Sequence, residues 1–153
     1  MTGTINPALF GMPDATTAGV PSGTTLTAYT GPMTITQAGT VIEGKIIDGT
    51  LTIDAANVTI KNCIIKNYGW WGIDGEGAAN LTVLNCDFTA STSKDTNAAI
   101  LGSGTFIGND ISQSENGIVL QGGASVVRDS YIHDLFDNFG EPGALTSNDF
   151  HFA

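Results

Sequence analysis

A-N-V-T-I-K-N-C-I-I-K-N, residues 56–67, is copied with variations along most of the chain. The copies are A-N-L-T-V-L-N-C-D-F-T-A at 79–90, T-F-I-G-N-D-I-S-Q-S at 105–114 and S-V-V-R-D-S-Y-I-H-D-L at 125–135. A looser version, T-V-I-E-G-K-I-I-D-G, precedes them at 40–49. Aligned, they put Val41, Ile60, Val83, Phe106 and Val127 in one column. Five residues on, a second column holds Ile46, Ile65, Phe88, Ile111 and Ile132. Successive copies are 19, 23, 23 and 21 residues apart. A β-branched repeat of that length with no helical period winds as a β-solenoid.

Each side chain's direction follows from the repeat. Val58-Thr59-Ile60-Lys61 alternates apolar and polar, as a strand with one buried face requires. A second short strand precedes each copy: Met33-Thr34-Ile35, Leu51-Thr52-Ile53, Gly72-Ile73, Ala99-Ile100-Leu101 and Gly117-Ile118-Val119. Two or three strands per coil then stack in parallel at about 4.8 Å. Parallel neighbours ordinarily need helical crossovers; here the winding itself brings the chain back. No stretch sustains an apolar i, i+3, i+4 pattern, so almost no helix is predicted. The expected fold is all-β, a solenoid of about five coils over residues 25–135, with a lead-in at 1–24 and an irregular aromatic tail at 136–153.

At 153 residues the chain is one domain by size. A formal charge of -10 disfavours nucleic acid, whose affinity rests on cationic contacts. No apolar run approaches the length of a membrane span. The start, M-T-G-T-I-N-P, lacks the basic and apolar regions of a secretory signal, so export by another route or within a larger assembly is expected. Cys63 and Cys86 fall at the same position of successive copies, and stacked reduced thiols are expected there.

The lead-in, rich in proline and glycine, reads as extended and turn-punctuated. Leu9, Phe10, Met12 and Val20 need cover, so the segment either caps the first coil or docks on another protein. Excursions at 67–72 and 89–97 interrupt the winding. After Leu135 comes F-D-N-F-G-E-P-G-A-L-T-S-N-D-F-H-F-A, which folds over the last coil, continues a longer solenoid or receives a cap from a partner.

Residues 7–135 resemble the right-handed parallel β-helix superfamily, of the pectate-lyase-like kind. Asn62 and Asn85 resemble the internal asparagine ladder of that superfamily. Residues 10–32, F-G-M-P-D-A-T-T-A-G-V-P-S-G-T-T-L-T-A-Y-T-G-P, with T-V-I-E-G-K-I-I at 40–47, are similar to a lead-in of actinobacterial secreted β-helix proteins and of actinobacteriophage minor tail proteins. The scaffold alone implies no activity, because it serves lyases, hydrolases and inert virion spikes. Pectate lyases of the superfamily hold calcium in a carboxylate cluster and use an arginine or lysine as base.

Asp87 and Asp110 share an outward column, about 5 Å apart by the strand spacing. That suits a retaining glycosidase pair or half of a calcium site, or two solvated acids. Arg128 supplies a base or anion clamp if the chain is an enzyme, and is otherwise a surface cation. His133 and His151 read as surface histidines, His133 in one column with Ile47, Lys66, Thr89 and Ser112. No other metal set and no required cofactor is seen. Tyr68, Trp70 and Trp71 on one loop are the candidates for sugar stacking, or pack against the lead-in or a neighbouring subunit. Ile42, Ile47, Ile64, Leu84 and Ile107 read as outward aliphatics, a patch too large for a monomer to expose. Either the lead-in folds back over this face or identical chains meet there; the resemblance to virion β-helix spikes favours the second and implies a trimer.

Three functions are consistent with these readings. The first is a structural virion component of a phage tail, minor tail or fibre, touching other virion proteins and a host glycan. The second is a secreted polysaccharide lyase or glycoside hydrolase. The third is a non-catalytic carbohydrate-binding module. The structural reading ranks above the catalytic one.

Overall fold

The computed structural model describes residues 7–91 and 96–135. After a single 3-10 turn at Pro7–Phe10, every regular element is a short strand. The first coil comprises β1 (Thr27–Ala28), β2 (Thr34–Ile35) and β3 (Val41–Glu43). The second comprises β4 (Lys45–Asp48), β5 (Leu51–Ile53) and β6 (Thr59–Lys61), and the third β7 (Ile64–Lys66), β8 (Trp71–Asp74) and β9 (Leu81–Leu84). In the fourth are β10 (Asp87–Thr89), β11 (Ala98–Gly102) and β12 (Gly104–Ile107), and in the fifth β13 (Asp110–Ser112), β14 (Asn116–Leu120) and β15 (Val126–Arg128). β16 (Tyr131–His133) opens a further turn.

Like strands of successive coils pair in parallel, which makes three sheets. Sheet 1 runs β1-β4-β7-β10-β13-β16, sheet 2 β2-β5-β8-β11-β14 and sheet 3 β3-β6-β9-β12-β15. The expected solenoid of about five coils is therefore the fold, with a third strand in each coil. The core fills the space between the sheets, and Leu51, Ile53, Ile60, Ile65, Ile73, Val83, Phe88, Ile100, Phe106 and Ile111 are buried in it.

The corners explain why so many Asn, Asp and Gly residues recur. Between sheets 3 and 1 the chain turns at Gly44, Asn62, Asn85, Gly108 and Asp129, all at φ between 50° and 67°. Asn57 and Asn80, before sheet 3, are also left-handed, as are Asn67, Gln113 and Asp134 after sheet 1. This conformation crowds Cβ against the backbone, and Gly, Asn and Asp tolerate it best. Each corner still carries the ladder: Asn62 N–H donates to Leu84 O at 3.0 Å, and Asn85 N–H to Ile107 O at 3.0 Å.

The register corrects the earliest copy of the repeat, residues 40–49, by one residue. Ile42, not Val41, pairs with Ile60, so Ile42 is 5% exposed and Val41 58%. Likewise Ile47, not Ile46, pairs with Ile65 and is fully buried. Gly44 is the corner equivalent to Asn62, and counting from that corner gives this alignment. Val127 does continue the file above Phe106.

Instead of capping the first coil, the lead-in runs up the outside along the corner between sheets 3 and 1. It passes below into β1, where Thr27 N–H donates to Gly44 O at 3.0 Å, and further up Gly19 N–H donates to Gly108 O at 2.7 Å. Met12 and Pro13 reach Asp129, Tyr131 and Ile132 beside the last strand. An Asp14 turn stiffens the strap, its Oδ1 accepting from Thr16 N–H at 2.9 Å and Thr16 O–H at 2.6 Å. Leu9, Phe10 and Met12 stay exposed. The aromatic tail at 136–153 lies outside the described residues.

Candidate functional site

Each corner between sheets 3 and 1 sets the direction of the two residues after it. The first points inward at Cys63, Cys86 and Asn109, and the second points outward at Ile64, Asp87, Asp110 and Tyr131. The register pairs Asp87 with Asp110, as the repeat implies. Neither acid faces open solvent on equal terms. Asp87 Oδ1 accepts the Val20 N–H of the strap at 2.8 Å. Gly19 lies over both acids, where a Cβ would collide with the Asp87 carboxylate and come within 3.0 Å of Asp110 Cβ. Burial lifts the Asp87 carboxyl above its ordinary range; the Val20 amide pulls it back, and Asp110 adds to the rise.

His133 completes a row with these acids. Its Nε2 lies 2.9 Å from Asp110 Oδ1 and its Nδ1 2.8 Å from Asp134 Oδ2. The imidazole stacks on Tyr131 with centroids 4.2 Å apart and an 18° angle between planes. Burial opposes the charged ring, but the hydrogen bonds to Asp134 and Asp110 outweigh it and raise its pKa above 6.5. Sequence columns miss this contact because it is diagonal: His133 stands over Ser112, whereas Asp110 is two residues back on β13. Its column passes through Asp48 in the second coil, not Ile47.

The other candidates are dispersed. Arg128 projects from sheet 3, around the corner from the acids, and pairs with Asp129. Among the described residues no group of three or more His, Cys, Asp and Glu side chains is placed to hold a metal ion. Among the described residues Asp87 and Asp110 have no third carboxylate beside them, so the pair does not complete a calcium site. Tyr68 is a core residue, fully buried edge-on to Phe88 at 6.5 Å, so it offers no ring to a sugar. Trp70 is 55% exposed and meets Trp71 edge-on at 6.0 Å. Its carbonyl accepts Asn97 N–H at 2.9 Å, which fixes the corner where the second excursion rejoins the wall.

The five proposed interface residues divide three ways. Ile42 and Ile47 are core, because the copy at 40–49 is shifted by one. Ile64 lies on the outer face of sheet 1, and only Leu84 and Ile107 share the outer face of sheet 3. There they stand beside Thr82 and Thr105, and Thr59 continues the threonine file below, next to Lys61. Glu43 and Lys61, an ion pair at 3.0 Å, border this uncharged strip on one side and Arg128 on the other.

A family model described as "right handed beta helix region" matches residues 34–148. The chain belongs to that family. The match fixes the hand of the winding and extends past the last described residue into the segment expected to be an irregular tail. Comparison with curated proteins and with solved structures found no match. In this right-handed β-helix the internal ladder is one residue on from the asparagines expected to form it. Asn62 and Asn85 are the corners themselves, and the Asn62 amide reaches outward to Glu43 at 3.3 Å. The inner position belongs to Asn109, fully buried, which accepts Cys86 N–H at 3.0 Å and donates to Val83 O at 3.2 Å. Below it, the free thiols of Cys86 and Cys63 point the same way, donating to Leu84 O at 3.2 Å and Lys61 O at 3.1 Å. A small donor is what this corner selects.

Proposed function

We propose that the chain is a non-catalytic structural module of a phage virion, in a tail, minor tail or fibre, assembled with copies of itself and with other virion proteins. The observation that carries this reading is the use made of the wall's acid pair. Asp87 fastens the strap through Val20 N–H, and Asp110 holds His133, so both carboxylates serve the protein's own architecture. A lyase or hydrolase needs them free, with a base alongside, and Arg128 projects from another sheet. The lead-in that resembles actinobacteriophage minor tail proteins is the segment forming this strap, which supports a tail location. The uncharged face around Leu84 and Ile107 supports self-association: in a trimer about an axis parallel to the winding, these residues from three copies meet at the same heights. Virion is the location proposed.

Antibody against the purified chain is expected to label the tails of intact particles, and the chain to run as an oligomer in light scattering. A monodisperse monomer that is absent from purified particles would overturn the reading. A second role, contact with a host-surface glycan, rests on the exposed Trp70.

A further inference from the structure

The row Val20–Asp87–Asp110–His133–Asp134 ties the N-terminal strap to the last described strand, and its hydrogen-bond chemistry depends on one proton. Both ring nitrogens of His133 face carboxylate oxygens, at 2.9 Å and 2.8 Å. Ionised carboxylates only accept hydrogen bonds, and a neutral imidazole has a single N–H to give. Both contacts together therefore require the imidazolium. We propose that His133 is a pH-dependent latch that holds the strap against the flank of the solenoid while it is protonated and releases it when it is not.

The coupling passes through Asp110. Its side chain is 21% exposed, whereas that of Asp134 is 83% exposed and can exchange its histidine contact for water. When His133 loses its proton, one carboxylate must give up its donor, and Asp110 then stands beside Asp87 with no cation to offset the repulsion. Asp87 is the acceptor that holds Val20, and Gly19 is wedged against both acids. Carboxylate repulsion therefore acts at the point where the strap is fastened. Among the described residues the other groups around the ring are Tyr131, stacked on it, and Ser112, its neighbour on β13. Arg128, the one arginine of the sequence, is paired with Asp129. The sign follows from the direction of the shift: a histidine raised by its partners stabilises the closed form below about pH 6.5 and loses that contribution as pH rises through its folded value.

Hydrogen exchange of the whole protein, corrected for the intrinsic pH dependence of exchange, reads this out at the Gly19 and Val20 amides. Wild-type protection there is expected to fall at least several-fold between pH 5.5 and pH 8, while the amides of β9 and β12 keep theirs. In His133→Gln the protection should no longer change with pH over that range. Asp134→Asn, a milder change at an exposed site, should move the midpoint to lower pH, which keeps the test open if the first variant folds poorly. Protection at Gly19 and Val20 that is flat with pH in the wild type overturns the latch. So does a pH response that persists in His133→Gln, or a midpoint that Asp134→Asn leaves unmoved.

Discussion

Asn85 shows how much of this architecture rests on single backbone conformations. It sits at φ 50° with Gly108 directly above, where a Cβ would strike the Asn85 amide oxygen. Left-handed geometry costs an ordinary L-residue about 1–2 kcal/mol. Asn85→Ala is therefore expected to lose that amount in urea denaturation, and Asn85→Gly to stay closer to wild type. The sequence advertises these corners, since Gly44, Asn62, Asn85, Gly108 and Asp129 recur at coil intervals. What it does not advertise is direction. Asn62 and Asn109 are the same residue type one position apart in the repeat, and only the corner's hand sends the first outward and the second into the core. Tyr68 hid for a similar reason: a loop rich in aromatics looks like a binding surface, yet its first ring completes the core beside Phe88. Trp70 does face solvent. Trp70→Ala should weaken retention on immobilised cell-wall glycan by roughly threefold to tenfold, the loss of one aromatic contact of about 0.5–1.5 kcal/mol. Unchanged retention would remove the glycan role.

For the strands, register carries the energetics. Val41 and Ile42 are adjacent β-branched residues, and hydropathy alone permits either to face inward. The pairing of Ile42 with Ile60 settles it. Ile42→Ala is expected to cost about 2–5 kcal/mol, as large-to-small core changes do, while Val41→Ala should stay within about 0.5 kcal/mol. Thermal unfolding of the two variants side by side checks the assignment. The later coils were legible because one apolar residue alternates with polar ones, as in Leu81-Thr82-Val83. In the copy at 40–49, the V-I and I-I doublets removed that signal. The same slip moved Ile42 and Ile47 from the expected outer patch to the core. The His133–Asp110 contact stayed hidden for a geometric reason, since neighbours within a column follow from the repeat length but diagonal ones need the sheet.

The whole molecule is a wall with three faces, and each face has a different character. Sheet 1 is partly covered by the strap, whereas the outer face of sheet 3 is uncharged across β9 and β12, from Thr82 and Leu84 up to Thr105 and Ile107. If copies meet on that face, Leu84→Asp should convert the oligomer to monomer in light scattering while leaving far-UV circular dichroism unchanged. A buried unpaired carboxylate at an interface is costly enough to dissociate it. Loss of the β signal instead would mean that Leu84 serves the fold and not an interface.

The strap also has a consequence in time. It is made first, yet the acceptor for Val20 is Asp87, 67 residues further along the chain. At about 5–20 residues per second, a ribosome needs several seconds to deliver that partner, and longer to deliver His133. Until then Gly19 and Val20 have nowhere to attach, and the coils must wind without them. Closure of the strap thus follows the winding of the coils that carry Asp87 and Gly108, and a nascent chain with Gly19 and Val20 docked is one in which those coils are already in place.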